Sequence, residues 1–182
     1  MPPETGTPRN ALFAWATASM MLFGFILASC SSGGNASSQD QALQKEANIY
    51  AISQIETKWH QASSTHDIAL MMSLWANDAT FTVGSQVLTG KTQIRDFFLN
   101  EAAPFQAQNH WVSDSPAYKE KITVTGTTGT LYFECDYIDV NTQKVVAVVS
   151  ADQDVALIGG KWLITNSVAA TPRFTAKPTS GY

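Results

Sequence analysis

Glu134 and Asp136 stand two residues apart in Leu131-Tyr132-Phe133-Glu134-Cys135-Asp136-Tyr137, and paired carboxylates are raw material for general acid–base chemistry. Strand alternation argues against that use. Leu131, Phe133, Cys135 and Tyr137 form the apolar face, so Tyr132, Glu134, Asp136 and Ile138 point the other way. Both acids are therefore expected on a solvated or dimer-facing sheet surface. Cys135, inward and without an adjacent cation, reads as a small buried hydrophobe rather than a nucleophile. Asn166 shares parity with Trp162, Ile164 and Val168. An amide in an apolar row must find partners, either a ligand carbonyl or hydroxyl or a local backbone bulge. Of the histidines, His60 and His66 fall beside the exposed face and the end of the first predicted helix and are expected at the surface. His110 directly precedes Trp111-Val112-Ser113, where an imidazole can serve as general base near neutral pH, or else cap a strand or satisfy a buried carbonyl.

The elements that must position these groups follow from periodicity. From Gln41 to Thr65, apolar residues recur at Leu43, Ala47, Tyr50, Ala51, Ile55, Trp59 and Ala62, the three- and four-residue steps of a long amphipathic helix. Asp67 is placed to cap a second, shorter helix burying Ile68, Met71, Met72, Leu74 and Trp75. A short β-prone stretch, Ala79 to Val83, follows. Gly90 then opens a third helix carrying Ile94, Phe97 and Phe98. Beyond Pro104 the pattern changes to strands: His110–Ser113, Lys119–Thr127, Thr130–Val140, Val145 toward Leu157, and Lys161–Ala169 after a Gly159-Gly160 turn. Helices first and an antiparallel meander afterwards predict an α+β fold, a curved antiparallel sheet wrapped around three N-terminal helices. Trp59, Trp75, Phe81, Phe97, Phe98 and Trp111 give it an aromatic interior, mostly core, part of which can line a cavity for a flat apolar molecule.

Leu74-Trp75-Ala76-Asn77-Asp78-Ala79-Thr80-Phe81, then Leu88-Thr89-Gly90-Lys91 and Ile94-Arg95-Asp96-Phe97-Phe98, resemble the nuclear transport factor 2-like superfamily, closest to its SnoaL-like branch. Trp59 and Lys161-Trp162 fit the same pattern, and the resemblance spans about Gln41 to Ala170. It implies a cone-shaped fold. For activity it implies little, because the superfamily holds isomerases, dehydratases, cyclases, epoxide hydrolases and non-catalytic members. The ketosteroid isomerase base falls at Val83 and the hydroxyl donor at Trp59, neither of which can do that work. That activity is rejected. In dehydratase-like relatives a histidine at the start of the sheet is oriented by an aspartate from the first helix. Here the resemblance puts His110 in the first role and Ser64 in the second, with Asp67 nearby as a substitute.

Composition bounds the partners. A net charge of −4 and scattered Lys and Arg argue against nucleic acid. No glycine-rich phosphate loop and no HExxH-type metal motif appears, so neither a cofactor nor a metal is implied. At the N-terminus, Ala11 to Leu27 carries no charge and is short for a ~30 Å hydrocarbon core. Leu27-Ala28-Ser29-Cys30 closes it and resembles a bacterial lipobox. That resemblance implies removal of residues 1–29, lipidation of Cys30 and an extracytoplasmic lipoprotein, in the outer membrane if the host has two, because Ser31 follows the cysteine. A retained transmembrane anchor is the alternative. A lipidated Cys30 leaves Cys135 no second cysteine for a disulfide. Residues 30–40 read as a Ser/Gly tether, 41–171 as the folded domain and 172–182 as a loosely attached tail.

Three functions are consistent with these residues. One is a membrane-anchored domain binding a small, largely apolar molecule or a protein partner, its pocket drawn from Trp59, Trp75, Phe81, Phe97, His110 and Asn166. The second is a cofactor-independent lyase or isomerase with His110 as base and Trp59 and Asn166 orienting the substrate. The third is a homodimeric scaffold assembled through the outer sheet face.

Overall fold

The structure, a computed structural model, describes residues 37–113 and 117–171. The signal segment, Cys30, most of the tether and the tail lie outside the described residues. The long helix α1 runs Ser38–Thr65, three residues earlier than its apolar period suggests. The reason is a capping box: Ser37 accepts from the Asp40 N–H while the Asp40 carboxylate accepts from the Ser37 N–H. His66 ends α1 in the left-handed conformation and is exposed. Asp67 then caps α2, Ile68–Ser73, by accepting from the Leu70 N–H at 2.8 Å.

Trp75 is not on α2. It opens β1, Trp75–Val83, because the Ile164 N–H donates to Leu74 O at 2.8 Å and draws the chain into the sheet. β2, Gln86–Thr89, pairs back onto β1, and α3, Lys91–Asn100, follows Gly90 at φ 81°. The remaining strands are β3 Trp111–Ser113, β4 Lys119–Thr125, β5 Thr128–Asp139, β6 Lys144–Ile158 and β7 Lys161–Ala170. Both glycines of the β6–β7 turn have positive φ, as a two-glycine hairpin requires.

The seven strands make one open sheet in the order β2-β1-β7-β6-β5-β3, with β4 also on β5. It is mixed and mostly antiparallel: β1 runs parallel to β7, and the other pairings are antiparallel. The antiparallel sheet of the sequence reading is observed, with the β1–β7 junction as its one parallel pairing. α1 packs against β3, β4, β5 and β7, while α3 packs on β1 and β2. Between them lies an aromatic core in which Trp59 meets Trp75, Phe81, Phe98 and Phe133 at ring-centroid distances of 5.6–6.4 Å. Gly129 is required first by β4, because a Cβ there would meet the Thr123 backbone oxygen at 2.5 Å, and it also leaves room for the tip of Ile52 from α1, which would lie at 3.2 Å.

Candidate functional site

The buried face of α1 is Ile52, Ile55, Glu56, Trp59, His60, Ala62 and Ser63, so three of its seven members are polar. Leu43 and Tyr50, expected on that face, are exposed instead. His60, expected at the surface, is 1% exposed, and Glu56 is 3% exposed. Polar groups this deep require partners, and here only His60 Nε2 is left without a hydrogen bond, its contact being one of charge alone. His60 Nε2 lies 2.8 Å from Glu56 Oε1, an ion-pair contact across one helical turn. His60 Nδ1 shares a short hydrogen bond with Ser113 Oγ at the end of β3. Glu56 also accepts from the Ala117 N–H at 2.6 Å, just before β4, and from the Thr57 hydroxyl at 3.2 Å.

A second ring of contacts holds Ser113. Its N–H donates to Ser64 Oγ at 2.8 Å, and its register partner across the strands is Tyr137. The buried Tyr137 hydroxyl donates to Ser63 Oγ at 3.3 Å, with the polar groups of Trp59 and Ser113 adjoining it. Carboxylate, imidazole and hydroxyl thus stand in series where α1 meets β3 and β4. Glu56 and His60 are closed from solvent, while Ser113 is half-buried.

Electrostatics separates the acids. Burial alone pushes the Glu56 carboxyl up, but His60, the Ala117 N–H and the Thr57 hydroxyl together hold it below the ordinary glutamate range. Glu120, on β4, is pushed the opposite way, by burial and then by the Glu56 charge, with His60 opposing. Burial raises the Tyr137 phenol well above its usual value, so it stays a hydrogen-bond donor. In chemical terms, an imidazole between an ionised carboxylate and a hydroxyl can take the hydroxyl proton and return it.

The residues named from sequence divide among several places. Trp59, Trp75 and Phe81 are in the closed aromatic core, with the half-buried Phe97 5.5 Å from Phe81. His110 is exposed, its carbonyl accepting from the Val140 N–H. Asn166 is turned away from the core because a register shift between Asp154 and Val155 reverses the parity of β7. Beyond that shift Ser167 is buried, Val168 is exposed and Asn166 donates to Asp154 Oδ2 at 3.2 Å. Glu134 and Asp136 do face away from the Phe133 side, but they are not solvated: they are 7% and 6% exposed. Glu134 is closed over by the Tyr118 hydroxyl and Lys119 Nζ, each at 2.7 Å, and by the Tyr132 hydroxyl. Alternation gave their face but not the side chains that cover it. An open groove of about 700 Å³ runs past Gly90, Lys91 and Arg95 and includes neither Glu56 nor His60.

The description "SnoaL-like domain" matches residues 45–168, more than half of the chain. The chain belongs to the SnoaL-like domain family. Solved structures share the fold of this SnoaL-like domain at low identity. An NTF2-like protein with a cystatin-like fold from Novosphingobium aromaticivorans is 15% identical, with a TM-score of 0.62 over 79% of this chain and 95% of its own. A protein provisionally named a dehydratase of the NTF2-like family, from Streptomyces avermitilis, is 15% identical, with a TM-score of 0.57 over 71% and 99%. One provisionally named a ketosteroid isomerase, from Shewanella frigidimarina, is 14% identical, with a TM-score of 0.54 over 66% and 94%. No match was found among curated proteins.

Glu56 was not singled out from the sequence and His60 was placed at the surface, because the buried face of the helix was drawn from its apolar residues. The signal was available. Glu56, His60 and Ser63 continue the three- and four-residue steps of Ile52, Ile55 and Trp59, so they share the buried face of one helix.

Proposed function

We propose that this SnoaL-like domain is an enzyme of general acid–base type, with His60 as its base and Glu56 holding the ring. The observation that carries this is the buried series Glu56–His60–Ser113, which ends at the half-buried member where α1 meets β3 and β4. An ion pair placed only for stability gains little from burial, because removing both charges from water costs about what their attraction returns. The arrangement fits a group that must gain and lose a proton in a dry setting. Dehydration, the reaction in the provisional name of one fold neighbour, begins with such a transfer. His60 replaces His110 in this role because His110 is exposed and has no carboxylate or hydroxyl in series with its ring among the hydrogen bonds described.

We propose further that the domain works outside the cytoplasm on a lipidated Cys30. Leu27-Ala28-Ser29-Cys30 supports this reading, as does the Ser/Gly stretch leading to the capped start of α1. Native mass spectrometry of the full-length chain in detergent identifies the small molecule it carries. Turnover of that molecule is then compared between wild type and His60→Gln at equal helical content. A loss of about 10²-fold or more is expected; equal turnover overturns the assignment.

A further inference from the structure

We infer that Ser113 is an acyl-accepting nucleophile and that its substrate is a carboxylic ester. This rests on the reading of His60 as general base. Serine hydroxyl, imidazole and carboxylate stand in the order that activates a hydroxyl, and such a constellation is recognised by geometry and role rather than by fold. Here Nδ1 faces the serine and Nε2 the carboxylate, a reversal the ring allows because either nitrogen can accept while the other donates. Ser113 is the outermost of the three. It lies at the end of a strand and is pinned through its N–H by Ser64. Tyr137, directly across the register, keeps its hydroxyl proton on Ser63 Oγ and frames this end of the site from beneath the strand.

The step balances without a co-reactant other than water. With the ring proton on Nε2, the Ser113 Oγ–H proton passes to His60 Nδ1 as Oγ bonds the ester carbon, and Glu56, 2.8 Å from Nε2, offsets the charge of the imidazolium. The carbonyl electron pair moves to its oxygen. Collapse breaks the bond to the alcohol oxygen, which leaves with the proton from His60. Water repeats the sequence on the acyl-serine, releasing the acid and restoring the hydroxyl.

The test treats the full-length chain in detergent with a fluorophosphonate probe, and separately with p-nitrophenyl acetate, with circular dichroism confirming the fold of each variant. One phosphonyl group is expected on the peptide that contains Ser113. Labelling should vanish in Ser113→Ala and slow about 10²-fold or more in Glu56→Gln. Ser113→Cys should exchange probe labelling for alkylation by iodoacetamide at the same position. A label elsewhere, undiminished labelling of Ser113→Ala, or a folded wild type that takes no label overturns the nucleophile. If the probe fails while His60→Gln still lowers turnover of the co-purified molecule, the nucleophile falls and the base stands. If both fail, both fall.

Discussion

Burial alone would push the Glu56 carboxyl up, yet three contacts reverse the direction, and this balance governs how the site responds to acid. A carboxyl held below its unfolded value of 4.5 stabilises the fold fully above that pH and loses the contribution as pH falls through the folded value. Glu56→Gln should therefore cost about 1.5–3 kcal/mol at pH 7. Its denaturation midpoint should also fall less steeply than the wild type's below pH 4.5, by urea titration at several pH values. Glu120 has the opposite sign. Its raised value means that ionisation at neutral pH opposes folding, so Glu120→Gln should raise the midpoint at pH 7. That gain should fade as pH falls through the raised value. At this scale the sequence was least legible. His60 looks like one more polar residue on a helix until Ser113, far along the chain, closes on its ring.

At the scale of elements, the long helix, its capped successor and the glycine-opened third helix were legible because each rests on local rules. The misplacements have non-local causes. Trp75 continues the apolar period of α2 but is drawn into β1 by a hydrogen bond from β7. Asn166 follows the parity of Trp162 and Ile164 until a bulge reverses it, and only the pairing with β6 reveals the extra residue. β4 depends on Gly129 for its close pairing with β5, where a Cβ would meet the Thr123 carbonyl. Gly129→Ala should destabilise by about 1–3 kcal/mol in thermal or urea denaturation.

At the scale of the whole molecule, order of elements gave the α+β class, but the parallel β1–β7 junction needs knowledge of where β1 lies beside the meander. If Cys30 carries the lipid, Cys30→Ser should move the protein from the detergent phase to the aqueous phase in a phase-separation assay, because the tether offers no other anchor. Unchanged partition would favour a retained apolar segment.

The series Glu56–His60–Ser113 is tested most directly by long-range nitrogen–proton NMR of the full-length chain labelled at histidine. Both ring nitrogens of His60 should shift when either Glu56→Gln or Ser113→Ala is introduced, while the exposed His66 and His110 stay where they are. A His60 ring that ignores both substitutions would contradict the series, and with it the proposed chemistry.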